Sequence, residues 1–328
     1  MSSAPDTPRP LVGLIGLGAM GAGMAGSLRR AGFAPHVFDI RPGVAEAFAR
    51  EGGTACASVA ELAAACDVVI SVVVNAQQTE AVLFGSGDGA GGVHGAGRAD
   101  RMGGTGGQGG AGGAAVAMKP GSVFVMCSTV DPNVSIAFEQ RLHGMGLLYL
   151  DAPISGGAAK AASGQMTMMT AGTPAAYARC GGALDAMAAK VYKLGDRAGA
   201  GSKVKIINQL LAGVHIAAAA EAIALGLREG VDAAALYEVI THSAGNSWMF
   251  ENRMAHVLAA DYTPLSAVDI FVKDLGLVLD TARATKFPLP LASTAHQMFM
   301  QASSAGFGRE DDSAVIKIFP GIELPKGN

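Results

Sequence analysis

The stretch LVGLIGLGAMG, residues 11–21, decides the fold, because an apolar run of strand length ends there on a G-x-G-x-x-G pattern. In such a pattern the first glycine permits a tight turn, the second lets the backbone approach a pyrophosphate, and the third allows close packing of a helix on the strand. The N-terminus of that helix then offers N–H groups to phosphates. We therefore expect a dinucleotide to contact the whole turn, which consists of Gly16, Leu17, Gly18, Ala19, Met20 and Gly21.

Asp39 follows the next apolar run, HVF, at the position of a ribose-binding acid, about 20 residues beyond the turn. Its carboxylate can accept hydrogen bonds from the adenosine ribose and repels a 2′-phosphate, so it predicts NAD in preference to NADP. Arg41, two residues later, would offset part of this repulsion. The alternative is a packing turn with a surface aspartate, which is disfavoured because strand, turn, helix and acid occur together.

Apolar runs of strand length continue through the first half of the chain and alternate with stretches of helix length. The predicted strands lie at residues 11–16, 36–39, 67–73, 122–127 and 147–151, and two of the predicted crossover helices at 20–31 and 133–145. Nearly continuous runs of Val, Ile and Leu suit a parallel sheet that is covered on both faces. The sequence therefore predicts an α/β fold with an N-terminal Rossmann-like, doubly wound sheet.

The second half of the chain begins with a long pattern rich in Ala and Leu, residues 199–230, which is apolar on most faces. We predict a long interdomain helix, followed by an all-α C-terminal domain. Because so apolar a helix has to hide its surface, we expect a partner subunit to cover part of it, in a homodimer or homotetramer. The predicted divisions are a disordered tail at 1–10, a dinucleotide-binding Rossmann domain at 11–196, and a helical substrate and dimerisation domain at 197–328.

Glycine dominates residues 85–113, within a predicted insertion at 85–118. This segment cannot bury enough apolar area to offset the entropy lost on ordering, so we expect a mobile surface loop. Gly-rich loops can hold phosphate, but that requires a fixed turn that opens a helix, and the segment supplies none. We therefore interpret it as a tolerated insertion in the Rossmann domain.

Composition excludes several classes of function. The formal net charge is −3 without a basic cluster, so we expect no nucleic acid partner. No run of 18 apolar residues lacks a polar interruption, and the N-terminus does not resemble a signal peptide, so we expect no membrane association. The histidines lack ligand spacing, so we expect no metal. Buried free thiols and a cytoplasmic location are expected from the four cysteines without CxxC spacing, which are Cys56, Cys66, Cys127 and Cys180.

A second candidate site lies in GAGSKVKIINQ, residues 199–209. Lys205 and Asn208 are three residues apart, so they project from one face of a helix whose continuation is almost entirely apolar. Lys205 is then either a surface residue or a desolvated lysine in a cleft, where burial lowers the pKa of an amine and suits it to proton transfer. Spacing alone favours the surface alternative, because lysines are rarely buried.

Four motifs, GLGAMGAGMAGSL, STVDP, DAPISGG and GAGSKVKIINQ, occur in the order and spacing of the β-hydroxyacid dehydrogenase family. The chain resembles that family from Leu11 to Phe319, apart from the glycine-rich segment. The family includes the 3-hydroxyisobutyrate dehydrogenases and the tartronate semialdehyde reductases. In the C-terminal half, NQLLAGVHIAAAAEA, AGNSWMFENRM and DDSAVIKIF are similar to its L-threonate dehydrogenase branch, which oxidises a four-carbon sugar acid at the 2-hydroxyl.

The resemblance implies an oxidoreductase that transfers a hydride from a small hydroxycarboxylate to NAD. L-threonate, giving 2-dehydro-L-erythronate, is the first expectation, and the other two activities of the family are the alternatives. A member that serves only as a dinucleotide-binding scaffold would lack the catalytic lysine, which is present here as Lys205. The resemblance therefore favours an enzyme.

The resemblance also implies roles for individual residues. Lys205 corresponds to the catalytic lysine, and Asn208 to a substrate-binding asparagine. The loop that binds the substrate carboxylate corresponds to Ser155, Gly156 and Gly157. Implied cofactor contacts are Thr129, Lys273, and the pair Val73 and Val74, which stand where many relatives have Leu-Pro. Gln209 replaces an asparagine of the commonest motif and receives no role.

Overall fold

The computed structural model describes residues 9–85 and 112–327. The chain divides into two compact units, Met1–Lys205 and Ile206–Asn328. Residues 1–8 of the predicted tail and residues 86–111 of the predicted insertion lie outside the described residues. Arg9, which the prediction assigned to the tail, donates a hydrogen bond to the carbonyl oxygen of Ala31 at 2.7 Å.

Within its described residues, the first unit is built on one mixed sheet of nine strands. The strands are β1 (Val12–Ile15), β2 (His36–Phe38), β3 (Thr54–Ala55), β4 (Val68–Ser71), β5 (Val123–Met126), β6 (Leu148–Asp151), β7 (Ile154–Ser155), β8 (Met166–Gly172) and β9 (Ala188–Lys193). Their order is β3-β2-β1-β4-β5-β6-β8-β7, with β9 beside β8. The first six strands are parallel in the doubly wound order 3-2-1-4-5-6, which confirms the predicted fold class.

Helices connect these strands. They are α1 (Ala19–Arg30), α2 (Val44–Ala49), α3 (Val59–Ala65), α4 (Ala76–Phe84), α5 (Ala114–Ala117), α6 (Pro132–His143), α7 (Gly157–Ser163) and α8 (Pro174–Met187). Every position of β1, β4 and β5 is buried, as expected for strands with helices on both faces. The four cysteines are buried free thiols, as predicted, and burial raises the pKa of Cys66 to about 12.

The described ends of the predicted insertion lie close together in the first unit, where Gly113 is buried. A Cβ added at Gly85 would lie 3.4 Å from the backbone nitrogen of Gly113, and one added at Gly113 would lie 2.3 Å from the carbonyl oxygen of Leu83. Residues 114–118 differ from the prediction: four of them form α5, and Ala114, Ala115 and Met118 are buried. The short apolar run AAVAM packs against α3 and α4, so the chain rejoins the core directly after Gly113.

A helix of 29 residues, α9 (Ala200–Arg228), contains the boundary between the two units. Length and composition alone would allow this helix to cross a membrane. In the second unit, however, Ile216, Ala220 and Ile223 of α9 are buried in a core that also contains Met254 and Phe299. Because α9 supplies part of this core, we interpret it as a core helix.

The rest of the second unit is helical, as predicted. Its elements are α10 (Ala233–Thr241), α11 (Trp248–Ala259), α12 (Val268–Ala284), α13 (Pro290–Ala302), a π-helical turn at Ser303–Phe307 and a 3-10 helix at Asp312–Ile318. Within the described part of this unit, the only strand-like pairing is an isolated bridge between Ala267 and Asp311. Arg253 of α11 forms a buried ion pair with Asp312, which ties the C-terminal segment to the unit.

Candidate active site

The glycine turn between β1 and α1 has the geometry that the sequence predicted. Gly16 adopts a φ of +93°, and a Cβ added there would lie 3.1 Å from the carbonyl oxygen of Val72. A Cβ added at Gly21 would lie 1.8 Å from the carbonyl oxygen of Gly16, so only glycine lets α1 pack this closely on the turn. Both glycines are therefore required by the local backbone.

The N-terminus of α1 is open. Gly18 precedes the first helical residue, and a Cβ added there would meet nothing within 4 Å. Among the described residues no side chain caps this helix, whereas Ser58 and Asn75 cap α3 and α4. Ala19 is exposed and Met20 half-buried, while the Leu17 side chain belongs to the core. The first N–H groups of α1 and the space above Gly18 thus fit a pyrophosphate.

Asp39 lies beside this turn, immediately after β2. Its Oδ2 accepts a hydrogen bond from the Leu17 N–H at 2.7 Å, and its Oδ1 accepts from Arg41 Nε at 2.8 Å. Burial raises the pKa of Asp39, but the hydrogen bonds from Arg41 and Leu17 outweigh this effect and hold the pKa below its usual value. Arg41 also donates to the carbonyl oxygen of Leu17. Asp39 is therefore an ionised acceptor with Arg41 paired to it.

Two further loops follow β4 and β5, which are neighbours in the sheet, so the loops lie at the same edge. Val73 and Val74 follow β4, and Thr129 follows β5. The hydroxyl of Ser128 joins the loops by donating to the carbonyl oxygen of Val73 at 2.7 Å, and it lies 3.0 Å from the hydroxyl of Thr79. Sequence reasoning missed Ser128 and Thr79, although Ser128 opens the STVDP motif.

The loop after β6 contains Ser155, Gly156 and Gly157. Ser155 ends β7, and α7 begins at Gly157. Gly156 and Gly157 adopt φ values of +135° and +76°, which other residues rarely adopt. Two consecutive glycines let the backbone turn sharply, and the N–H groups of such a turn can bind an anion such as a carboxylate.

Asp151, at the end of β6, anchors the start of α9, and sequence reasoning missed it. This fully buried carboxylate accepts hydrogen bonds from Gly199 N–H at 2.8 Å, Ser202 N–H at 2.9 Å and the Ser202 hydroxyl at 2.7 Å. Burial raises the pKa of Asp151, and the hydrogen bonds from Ser202 and Gly199 oppose that rise. A second buried carboxylate, Glu139 of α6, accepts from Ala198 N–H at 2.9 Å.

Lys205 lies one turn beyond Ser202 on α9. It is only 7% exposed, so the surface position that spacing alone favoured was wrong. Lys203, two residues earlier, is exposed and points elsewhere around the helix. The first turn of α9 is pressed against the sheet, because a Cβ added at Gly201 would lie 2.3 Å from the carbonyl oxygen of Met169. The backbone that carries Lys205 is thereby fixed to the first unit.

In the second unit, Asn208 and Lys273 belong to one chain of polar contacts. Asn208 Nδ2 donates to Gln209 Oε1 at 3.1 Å, and Gln209 Nε2 donates to Asp274 Oδ2 at 2.6 Å. Lys273 Nζ lies 2.6 Å from Asp274 Oδ1 as an ion pair. Sequence reasoning missed Asp274 and gave Gln209 no role. The VKDLG motif contained the signal for Asp274, because an acid there directly follows the lysine.

Two family models match the chain. Residues 11–97 and 108–195 match the model described as the NAD binding domain of 6-phosphogluconate dehydrogenase. Residues 199–319 match the model described as NAD-binding of NADP-dependent 3-hydroxyisobutyrate dehydrogenase. The first match contains the glycine turn and Asp39, and the second contains Lys205, Asn208 and Lys273.

Similar proteins cover nearly the whole chain. The L-threonate dehydrogenase of Cupriavidus necator is 64% identical over 96% of this chain and 97% of its own length. That of Pectobacterium atrosepticum is 50% identical over 96% of each. A crystal structure of a 3-hydroxyisobutyrate dehydrogenase from Salmonella typhimurium is 51% identical, covers 94% of this chain and 99% of that chain, and gives a TM-score of 0.83. The chain therefore belongs to the β-hydroxyacid dehydrogenase family, of the 3-hydroxyisobutyrate dehydrogenase-like kind, and is an NAD-dependent dehydrogenase that acts on the CH–OH group of a hydroxyacid.

Proposed function

We propose that the protein oxidises L-threonate at its 2-hydroxyl to 2-dehydro-L-erythronate, with NAD as the hydride acceptor. The observation that carries the reaction type is the burial of Lys205 near the start of α9, which Asp151 anchors, while Glu139 binds Ala198 just before the helix. The choice of substrate is supported by the relative that is 64% identical and bears the name L-threonate dehydrogenase.

In this proposal the chain's own residues bind the substrate and move one proton. Ser155 and the N–H groups of Gly156 and Gly157 bind the substrate carboxylate. Neutral Lys205 takes the proton of the 2-hydroxyl while the C2–H bond breaks and the C2–O bond becomes a carbonyl; in reduction, protonated Lys205 returns that proton. When bound, NAD supplies the group that accepts the hydride. Asn208, one turn beyond Lys205, contacts the same substrate.

The cofactor contacts are also part of the proposal. The open N-terminus of α1 and the glycine turn would hold the pyrophosphate, and Asp39 the adenosine ribose. The residues that follow β4 and β5 would also contact the cofactor: Val73, Val74 and Thr129. In the sheet order β4 lies beside β1 and β5 beside β4, and in this fold a dinucleotide crosses the carboxyl ends of these strands. Lys273 would contact the cofactor from α12.

A second candidate activity is oxidation of 3-hydroxyisobutyrate, because the Salmonella typhimurium protein that is 51% identical bears that name. Reduction of tartronate semialdehyde is the remaining family alternative. In both compounds the reacting group is on carbon 3 of a short carboxylate, whereas in L-threonate it is the hydroxyl on carbon 2. A substrate panel with NAD, read by NADH absorbance, separates these activities from L-threonate oxidation.

The experiment that tests the proposed function compares Lys205→Ala with the matched control Lys203→Ala. Because general acid–base catalysis contributes about 10²–10⁴-fold, kcat with L-threonate should fall by at least about 100-fold in Lys205→Ala. Lys203→Ala should stay near wild type, and both variants should bind NADH by fluorescence titration. Activity of Lys205→Ala within about tenfold of wild type would contradict the catalytic assignment. Loss of NADH binding would show instead that Lys205 supports the fold.

We further propose that the protein is a cytoplasmic homo-oligomer, a homodimer or homotetramer, with a Rossmann domain at 11–196 and a helical domain at 197–328. Four large apolar side chains of α9 are exposed, and a second copy would remove them from water: Val204, Ile207, Leu211 and Leu225. Light scattering after size exclusion should give a mass above one chain, and Leu211→Glu should lower it. A monomeric wild type would contradict this proposal.

A further inference from the structure

The polar chain in the helical unit has a fixed direction of hydrogen-bond donation. Its members are Asn208 and Gln209 of α9 and Lys273 and Asp274 of α12. Gln209 Nε2 donates to Asp274 Oδ2 at 2.6 Å, and Gln209 Oε1 accepts from Asn208 Nδ2 at 3.1 Å. The NH2 group of Gln209 therefore points toward Asp274, and the NH2 group of Asn208 points toward the carbonyl oxygen of Gln209.

The direction follows from the chemistry of Asp274. An ionised carboxylate only accepts hydrogen bonds, so Gln209 must present its NH2 group to it. Lys273 Nζ, 2.6 Å from the other carboxylate oxygen, supplies the opposite charge that a buried carboxylate requires. While its NH2 group donates to Asp274, Gln209 turns its carbonyl oxygen toward the Asn208 amide.

Burial enforces this arrangement. Gln209 is 8% exposed and Asp274 is 2% exposed, so water cannot readily replace a lost partner. A flipped Gln209 would set its carbonyl oxygen against the carboxylate and leave a buried acceptor without its donor. Asn208 is therefore held with Nδ2 toward Gln209, and Oδ1, on the opposite side of its amide carbon, directed away from Gln209.

We infer that Gln209 and Asp274 are positioning residues that hold Asn208 as a hydrogen-bond acceptor for a second substrate hydroxyl, and so select acids that carry a hydroxyl beside the oxidised carbon. This inference rests on the proposed function, in which Asn208 contacts the substrate. The oxidised hydroxyl loses its proton and ends as a carbonyl, which an acceptor oxygen would repel. An acceptor instead suits a hydroxyl that keeps its proton throughout, which in L-threonate is the one on carbon 3.

The test compares L-threonate with the 2,4-dihydroxybutyrate of the same configuration at carbon 2, which lacks only the 3-hydroxyl. Wild type should favour L-threonate in kcat/KM by about tenfold, the range of one substrate hydrogen bond. Gln209→Met keeps the length of the side chain but removes its amide. It should lower kcat/KM for L-threonate mainly through KM, because a hydroxyl that does not react is bound in ground and transition state alike. Turnover of 2,4-dihydroxybutyrate should hardly change.

Asp274→Asn provides a second variant, because a neutral amide at that position can also donate and no longer forces one orientation on Gln209. As in Gln209→Met, the kcat/KM preference of this variant for L-threonate over 2,4-dihydroxybutyrate should decrease. The matched control is Gln301→Met on the exposed end of α13, which should keep the wild-type preference.

The outcomes separate this inference from the proposed function. If wild type oxidises neither four-carbon acid, the proposed function fails. If wild type oxidises both equally well, or if Gln209→Met lowers kcat/KM for both substrates by the same factor, the positioning role is overturned while the proposed function stands. An unchanged preference in both folded variants overturns it as well. Collapse of the preference in either folded variant, with the control unchanged, supports it.

Discussion

Two substitutions of Asp151 separate the effect of its hydrogen bonds from the effect of its charge: Asp151→Asn and Asp151→Ala. Its Oδ2 accepts from the N–H groups of Gly199 and Ser202, and its Oδ1 accepts from the Ser202 hydroxyl. In Asp151→Asn, the amide oxygen can take the place of Oδ2, while the NH2 group donates to the Ser202 hydroxyl, which can also accept. All three contacts survive without the charge. Asp151→Ala removes all three.

The magnitude for Asp151→Ala follows from these contacts. Hydrogen bonds to charged groups contribute about 1.5–3 kcal/mol each, and loss of a helix cap costs about 1 kcal/mol. Because the contacts share one side chain, we expect a total loss of about 3–5 kcal/mol in the free energy of unfolding. At roughly 2–4 °C per kcal/mol for a unit of this size, Tm should fall by about 10 °C.

Asp151→Asn should behave differently. Burial raises the pKa of Asp151 because it disfavours the charged form, and a neutral amide avoids that desolvation cost. We therefore expect Tm to stay within about 3 °C of wild type, since the change in stability should be under about 1 kcal/mol.

Circular dichroism melting of both variants, with kcat for L-threonate measured on the same preparations, provides the assay. Because Lys205 lies one turn beyond Ser202, folded Asp151→Ala should lose turnover while NADH binding stays near wild type. If Asp151→Ala has the same Tm as wild type, Asp151 does not anchor α9. If Asn and Ala are equally destabilised, the charge matters and the geometric reasoning is refuted.

Three further predictions concern other parts of the chain. Asp39→Ser releases Arg41 from its ion pair, so the preference of kcat/KM for NAD over NADP should fall by about 100-fold; an unchanged preference would exclude Asp39 as its source. Replacement of residues 87–112 by a short turn should leave kcat and Tm nearly unchanged, because closing a shorter loop changes the free energy by only about 1 kcal/mol; a folded but inactive product would contradict this. Burial raises the pKa of Asp312 from 3.8 to about 7 despite the Arg253 guanidinium. The native state thus keeps a proton that the unfolded chain has released, and the free energy of unfolding should decrease as pH rises from about 4 to about 7, a decrease that denaturant titrations of Asp312→Asn should no longer show.

Much of the fold was predictable because its central strands are buried on both faces. The runs at β1, β4, β5 and β6 are rich in Val, Ile and Leu, and they carry a signal that does not depend on their neighbours. The strands β8 and β9 carried no such signal. MTMMTAG owes its strand form to pairing with β6, β7 and β9, and AAKVYK lies mostly exposed at an edge. Both depend on tertiary context.

The residues of the candidate site also differ in whether local sequence or distant contacts determine their positions. The glycine turn and Asp39 were predictable because their spacing is set by local backbone geometry. The burial of Lys205 was not, because it depends on how the start of α9 is held by Asp151, about 50 residues away in sequence. Asp151 did leave a signal, since an acid directly after an apolar strand is the pattern that identified Asp39. Gln209 left none, because its partner Asp274 lies on another helix.

The contact between Gly85 and Gly113 has a consequence for protein engineering. The backbone at Gly85 lies beside the backbone at Gly113, between α4 and α5, so this position is a suitable insertion site for a second folded domain. A folded reporter whose own termini are close together could replace the intervening residues without separating the two helices. The first unit would keep its sheet. The inserted reporter would then be attached to the unit that contains both the glycine turn and Lys205.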